Sequence, residues 1–301
     1  MHRGWYLAAY ERELTGDLHP VEIAGRPLML LRRNGGVAAY DATCPHRGAN
    51  LCRGGRLEGD RVICPFHGHS VSLGGDGGDG FFVQDYEVMN ISGLIFVARK
   101  PVQDSGLRAY LEALDQSHFV VPGLAMRLKV NANLVIENAF DSAHFRPVHQ
   151  LLKDPDFSLV PSVHGEYAVA GSFVLPRSSW HSGAPGGDDV SVPFTARAFS
   201  PTLVVSELGG SHPYMMLTAT VPEADGDCAL RLSLLLPPGT GGGAPGAEEI
   251  QSLLDQARHG LEKDQVIWEG MADPPPFREV DADRWVLGFR DFSDTFAAES
   301  P

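Results

Sequence analysis

Two short segments of this sequence each place one thiol beside one imidazole. Cys44-Pro45-His46 and Cys64-Pro65-Phe66-His67 lie in stretches rich in proline and glycine, which favour loops. Two cysteines and two histidines on two loops match a [2Fe–2S] centre in which histidines replace two cysteines on one iron. Such a centre is a one-electron relay. A structural zinc site is the alternative, but its usual spacing pairs cysteine with cysteine and histidine with histidine.

A second group of candidate ligands follows the pattern Asn138-x₂-Asp141-x₂-His144-x₄-His149. Two histidines and a carboxylate with open coordination positions form the non-haem iron(II) site that activates O₂. Histidines five residues apart diverge by roughly 140° on a regular helix, so one helix does not aim both at one metal. Pro147 predicts that the helix ends near Phe145, which lets His149 turn back to the same metal.

Asp264 is the candidate carboxylate ligand, from a helix late in the chain. It shares one apolar arc with Leu254, Ala257, Leu261 and Trp268. A buried carboxylate is costly unless it is paired or binds a metal. The alternative is a buried ion pair, for which Arg258 or another arginine could serve.

Asp141 lies roughly 60° around the helix from His144, close to the metal without being required as a ligand. It can accept the second N–H of a ligating histidine or bridge two metal centres, and the alternative is an ordinary surface aspartate.

Five residues could form the apolar walls of a substrate pocket, although they would equally suit the packed core of a sheet: Phe194, Phe199, Tyr214, Met215 and Met216.

The elements that must position these residues divide at a boundary near Pro101–Pro122, which predicts domains 1–115 and 116–301. The first hundred residues read as short strands between turns, at 28–32, 37–40, 61–63, 81–83 and 91–97. Afterwards the sequence predicts a strand at 126–136, a helix over 133–145, strands within 158–235 and a helix from Ala247 to about Ala272. Glycine-rich loops are expected at 74–80 and 181–189, and a linker at 237–246.

Composition excludes several partners. The 301 residues carry a net charge of −14 and are 43% apolar and 21% charged, typical of a globular protein. Without a basic run, nucleic acid and anionic membranes are unsuitable partners. Since no signal peptide or spanning segment is visible, we expect a cytoplasmic protein with Cys52 and Cys228 as reduced thiols.

The cysteine–histidine segments resemble the Rieske cluster-binding motif. The resemblance implies Cys44 and Cys64 on one iron of a [2Fe–2S] cluster, and His46 and His67 on the other. Many oxygenases of this type have an aromatic residue where this chain has His69, which we expect to face water. Respiratory Rieske proteins use an extra disulfide at positions that are here Phe66 and Ala49, which disfavours that class.

The full set of motifs resembles the Rieske non-haem iron oxygenases, α-subunit type, in the branch of monooxygenases, O-demethylases and steroid hydroxylases. The resemblance implies an α+β fold, an all-β Rieske domain joined to a helix-grip domain with a curved antiparallel sheet. His144, His149 and Asp264 would hold a mononuclear Fe(II), with Asn138 close to the iron or its water.

The same resemblance implies how electrons and oxygen are used. A separate NAD(P)H-dependent reductase or ferredoxin would deliver electrons to the cluster, and O₂ would oxidise a small hydrophobic or aromatic substrate. The family forms head-to-tail homotrimers, in which Asp141 would connect one subunit's cluster histidine to the next subunit's His144. The alternative is a Rieske electron-transfer or regulatory protein without O₂ chemistry.

Overall fold

The computed structural model describes residues 1–75, 80–176, 189–210, 212–239, 241–272 and 274–297. These residues form an N-terminal part built from strands and a C-terminal part in which helices pack on an antiparallel sheet. The expected α+β class is confirmed. The division at residue 115 stays a prediction; helix α1 (Leu107–Asp115) ends at that point and strand β11 (Phe119–Leu128) follows it.

The N-terminal part contains two sheets. Six strands form one sheet in the order β1-β10-β9-β4-β3-β2, and a smaller sheet has the order β5-β6-β7-β8. The strands are short and separated by turns, as the sequence predicted: β1 (Tyr6–Tyr10), β2 (His19–Ile23), β3 (Arg26–Arg33), β4 (Gly36–Asp41), β5 (Arg56–Glu58), β6 (Arg61–Ile63), β7 (Ser70–Leu73), β8 (Phe81–Val83), β9 (Asp85–Ile91) and β10 (Leu94–Ala98). The single strand predicted at 91–97 is wrong, because Ser92 and Gly93 adopt positive φ angles and form a turn between β9 and β10.

The C-terminal part is organised by a seven-stranded antiparallel sheet in the order β11-β17-β16-β15-β14-β13-β12. Its further strands are β12 (Ser158–Val160), β13 (Tyr167–Leu175), β14 (Val190–Ser200), β15 (Leu203–Leu208), β16 (Tyr214–Pro222) and β17 (Cys228–Leu236). Side chains alternate between the two faces of each strand, and both faces of this sheet are buried. Leu203 and Val205 pack against the N-terminal part, while Val204 belongs to the core beneath the helices.

Four helices cover the other face of this sheet: α2 (Ala132–Glu137), α3 (Phe145–His149), α4 (Ala247–Trp268) and α5 (Arg284–Asp294). Asn131 caps α2, since its side-chain oxygen accepts the N–H of Asn133 at 3.0 Å. Arg290 on α5 donates two hydrogen bonds of 2.8 Å to the Glu137 carboxylate at the end of α2. These contacts hold α2 in place at the residue that precedes Asn138.

The continuous helix predicted over 133–145 is wrong. The chain forms α2, a 3₁₀ turn at Asn138–Phe140 and then α3, so a helix begins rather than ends at Phe145. Asp141 is extended (φ −80°, ψ 101°), and its carboxylate accepts the N–H of Ala143 at 2.9 Å, which competes with helical hydrogen bonding. Pro147 lies in the first turn of α3, where its missing N–H is tolerated.

Three other expectations are revised or lie outside the described residues. The strand predicted at 126–136 ends at Leu128, and the late helix ends at Trp268 rather than near residue 272. Most of the glycine-rich loops at 74–80 and 181–189 lies outside the described residues.

In the part of the chain that the structure describes, no helix combines the length and apolar composition needed to cross a membrane.

Candidate metal centres and the family of the chain

Two loops of the N-terminal part share one backbone arrangement. One loop joins β4 to β5 and the other joins β6 to β7. The N–H groups of Cys44 and Cys64 each donate to the carbonyl five residues later, both at 2.8 Å. Gly48 and Gly68 then donate back to these cysteines' carbonyls at 2.9 and 3.0 Å, with φ angles of +77° and +71° that favour glycine. The loops are therefore equivalent supports for a cysteine and a histidine each.

The two cysteine side chains suit thiolate ligands. Each cysteine is 2% exposed, and their sulfurs contact each other. Desolvation raises the pKa of the Cys44 thiol. At Cys64 desolvation acts in the same direction, but hydrogen bonds from two backbone N–H groups and from Cys44 outweigh it and lower the pKa. Backbone N–H groups two and three residues further along the chain point at each sulfur, as a negatively charged sulfur requires.

The imidazoles of His46 and His67 lie together at the tip of these loops. Their ring centroids are 4.8 Å apart. His69 joins them, and one ring nitrogen of each of the three lies within 4.8 Å of the others. The expectation that His69 simply faces water is wrong, because its ring packs edge-on against His46 at 4.5 Å and against Phe81 at 5.0 Å.

A second group of ligating side chains forms in the C-terminal part. His144 lies just before α3, His149 is its last residue, and Asp264 projects from α4. One ligand atom from each of the three lies within 4.8 Å of the other two. Two imidazoles and a carboxylate in this arrangement fit the facial site of non-haem iron(II).

Asp264 is buried at 7% exposure, and its Oδ1 lies 3.2 Å from Nε2 of His149. Among the described residues no arginine pairs with it, which removes the alternative of an ion pair with Arg258. A buried carboxylate beside two imidazoles is the donor set that a divalent metal stabilises.

The proton on His144 is fixed by its neighbours. Its Nδ1 lies 2.7 Å from the carbonyl oxygen of Asp141, which can only accept, so Nδ1 carries the proton. Burial lowers the pKa of His144 and favours the neutral ring, although Asp264 and Asp141 act in the opposite direction. Nε2 is therefore the atom available to a metal, and the side-chain amide nitrogen of Asn138 lies 3.1 Å from it.

Asp141 contacts His144 through its backbone rather than its carboxylate. Its Oδ2 lies 3.8 Å from Nδ1 of His144, and its Oδ1 accepts the N–H of Ala143. The Asp141 side chain remains 33% exposed. It lines a cavity of about 420 Å³ that also reaches Asn138, His144 and Asp264.

A larger cavity of about 1050 Å³ opens on the same three residues between α4 and the sheet. Of the expected wall residues, Phe194, Tyr214 and Met216 line it. Phe199 and Met215 do not, because they point to the opposite face of the sheet and pack towards the N-terminal part. The cavity is of the size that encloses a small organic ligand.

The sequence reasoning missed most of the cavity residues on α4, among them Gln256 and Gly260. They precede Asp264 by eight and four residues, so counting helical turns backwards from that ligand would have found them.

Comparisons with known proteins agree with both centres. Residues 4–79 match the Rieske [2Fe-2S] domain, and residues 85–291, more than half of the chain, match the 3-ketosteroid 9alpha-hydroxylase C-terminal domain. The chain is 28% identical over 199 residues to cholesterol 7-desaturase of Bombyx mori. It is 27% identical over 231 residues to the vanillate O-demethylase oxygenase subunit of Pseudomonas sp. (strain HR199 / DSM 7063). These matches cover 62% and 69% of this chain but 42% and 65% of the relatives, less than two thirds of either.

Solved structures share the fold. Dicamba monooxygenase bound to 3,6 dichlorosalicylic acid matches with a TM-score of 0.73 and 18% identity, covering 98% of this chain and 97% of that one. The same enzyme with non-heme iron and dicamba matches with a TM-score of 0.71 and 19% identity, covering 98% and 96%. The expected cofactors, a Rieske [2Fe–2S] cluster and a mononuclear iron, are confirmed at the level of the family. The cluster loops, the histidine–carboxylate group and the matched domains lead to one conclusion: the chain belongs to the Rieske oxygenases, with a Rieske [2Fe-2S] domain followed by a 3-ketosteroid 9alpha-hydroxylase C-terminal domain.

Proposed function

We propose that the chain is the oxygenase component of a multi-component system that uses O₂ and delivered electrons to hydroxylate, demethylate or otherwise oxidise a small hydrophobic or aromatic molecule. One observation carries the proposal: two imidazoles and a buried carboxylate meet at the wall of a cavity of about 1050 Å³. An electron-transfer or regulatory protein needs neither the ligand group nor the cavity.

The ligands follow from the donor atoms. In the proposal Cys44 and Cys64 hold one iron of the cluster, and His46 and His67 hold the other. A mononuclear iron is held by Nε2 of His144, by His149 and by Asp264. When bound, these groups supply one-electron transfer and O₂ activation.

The chain's own residues orient the metal ligands and exclude water from the cavity. The Asp141 carbonyl keeps the proton on Nδ1 of His144, so that Nε2 faces the metal. The side-chain amide nitrogen of Asn138 lies 3.1 Å from the same Nε2 atom, a contact that would have to yield to a bound metal because Nε2 has one lone pair. The apolar walls formed by Phe173, Phe194 and Leu208 surround a substrate with little water.

Electrons are proposed to come from an NAD(P)H-dependent reductase, directly or through a ferredoxin. The exposed cluster histidine His67 offers such a partner a contact.

A homotrimer is also proposed, with Asp141 next to a neighbouring subunit's cluster. Its support is an exposed apolar surface beside the smaller cavity: Ile267, Met271 and Phe277 are 50%, 43% and 50% exposed. Apolar surface of this kind marks an interface. Light scattering should give three times the chain mass, and Ile267→Glu should lower that mass.

Iron content tests the proposed function. The purified protein should hold about three irons per chain, two in the cluster and one mononuclear. His144→Ala should reduce this to about two and leave the visible spectrum of the cluster unchanged, whereas the matched control His118→Ala should retain all three. Two irons in the unaltered protein, with no change in His144→Ala, would establish the electron-transfer alternative.

A further inference from the structure

Two hydroxyl side chains on the sheet line the larger cavity, Ser206 on β15 and Thr218 on β16. Ser206 is 8% exposed and Thr218 is half-buried. Within the described residues neither hydroxyl has a hydrogen-bond partner, and both oxygen atoms keep some accessible surface. A molecule in the cavity can therefore reach them.

The pairing of the two strands makes these hydroxyls neighbours. β15 and β16 are antiparallel, and Ser206 lies opposite Met216, two residues before Thr218. The two residues are therefore diagonal neighbours on one face, and the Cβ atoms of such a pair are about 7 Å apart. An O–H···O hydrogen bond spans about 2.8 Å from each hydroxyl, so one oxygen atom of a ligand can accept from both.

The hydroxyls are not required for packing. Thr220 comes next on the same face of β16, and its hydroxyl has a structural role because it donates to the Ala132 carbonyl at 3.1 Å. Ser206 and Thr218 make no such bond within the part of the chain that the structure describes. Since buried polar groups are nearly always paired, two unpaired hydroxyls that face a cavity indicate that a ligand supplies the acceptor.

The surrounding face of the sheet is apolar and includes Phe194, Val204, Leu208, Met216 and Leu232. The acidic and basic side chains that line the cavity lie on α4, on the opposite wall. An ionised group placed against the sheet would lose its hydration without gaining a counter-charge, which is costly. A neutral oxygen needs only the two hydroxyls.

We propose that Ser206 and Thr218 determine substrate specificity by donating hydrogen bonds to one neutral acceptor oxygen of an otherwise apolar substrate. Asp264 lies on α4, across the cavity from the sheet, so the oxidised carbon is on the other side of the substrate from this oxygen. This inference rests on the proposed function, which places the mononuclear iron beside Asp264.

The proposal is tested by binding, without turnover, on the iron-loaded full chain kept free of O₂. The probes are 2-acetylnaphthalene, which carries an acceptor oxygen, and 2-isopropenylnaphthalene, which has almost the same shape and carries none. Equilibrium dialysis gives the dissociation constant of each. The double variant Ser206→Ala, Thr218→Val should weaken binding of the acetyl probe by at least about tenfold, because two hydrogen bonds are lost. It should leave binding of the hydrocarbon probe unchanged.

A second measurement detects the hydrogen bonds directly. Hydrogen bonding lowers the stretching frequency of a carbonyl group, so the infrared band of the bound acetyl probe should lie below its position in hexane. In the double variant the band should return towards the hexane position.

Thr195→Val is the matched control. Thr195 is half-buried on the neighbouring strand β14, and it alternates with Phe194, so it lies on the face of the sheet away from the cavity. This variant should bind both probes as the unaltered protein does. Circular dichroism should report a folded protein for every variant.

Four results would overturn the inference: unchanged affinity of the double variant for the acetyl probe, an equal loss for both probes, a carbonyl band at the same position in both proteins, or no binding of either probe to the unaltered protein. Iron content is measured separately. A chain lacking the mononuclear iron would refute the proposed function even where the acetyl probe binds as expected.

Discussion

Two glycines in helix interiors should respond to the same substitution with opposite signs. Gly260 in α4 and Gly288 in α5 both occupy interior helical positions, where alanine is favoured over glycine by about 1 kcal/mol. Gly260→Ala adds a Cβ atom that meets nothing within 4 Å, so the full gain of about 1 kcal/mol should appear. For a domain of roughly 200 residues this raises Tm by about 2–4 °C.

At Gly288 the space is already filled. A Cβ atom there would lie 2.5 Å from the hydroxyl oxygen of Tyr167 and 2.9 Å from its ring. That hydroxyl donates to the Trp285 carbonyl at 2.9 Å, so the tyrosine would have to move and lose this bond. A lost, partly buried hydrogen bond and disturbed packing cost about 2–3 kcal/mol together, which exceeds the gain in helix propensity. Gly288→Ala should therefore be less stable by about 1–2 kcal/mol.

The assay is thermal and urea unfolding of both variants beside the unaltered protein, followed by circular dichroism. The expected result is a higher midpoint for Gly260→Ala and a lower one for Gly288→Ala. Shifts of the same sign in both variants would refute the reasoning, because helix propensity alone would then determine stability and the open space beside Gly260 would have no role.

Three other changes test the centres and the N-terminus. Asp264→Asn should lose the mononuclear iron while keeping the cluster iron, measured by metal analysis; an unchanged iron content would exclude Asp264 as a ligand. Asp141→Asn should keep the cluster spectrum but reduce substrate-dependent O₂ uptake by at least about tenfold, and full uptake would contradict the connecting role. His2 is half-buried with both ring nitrogens hydrogen-bonded, one to Thr202 and one to Gly4, and desolvation lowers its pKa from 6.5 to about 3. The unfolded chain therefore binds this proton at a higher pH than the folded chain does. The stability that the neutral His2 ring provides is complete above about pH 6.5 and falls towards pH 3, with a loss of roughly 2 kcal/mol at pH 5. His2→Gln should flatten that part of the urea-unfolding profile, and an unchanged slope would exclude His2 as the group responsible.

The sequence by itself determined the features that depend on neighbours along the chain. Cys44 is close in sequence to His46, and Cys64 is close to His67. Each pair therefore lies on one short loop, whatever surrounds that loop. Asp264 was predicted as a ligand because a carboxylate on an apolar helical stripe requires a compensating partner, and helical periodicity is visible in a sequence.

Tertiary structure decided what depends on distant contacts and on backbone irregularity. The break at Asp141 replaced the predicted helix, because a local side-chain hydrogen bond outcompeted helix formation there. The register of β14 and β16 decided that Phe194 and Met216 line the cavity while Phe199 and Met215 do not, since a shift of one residue reverses the face. The unpaired oxygen of Gln256 is likewise invisible in the sequence, because whether a buried acceptor has a donor depends on every element that surrounds it.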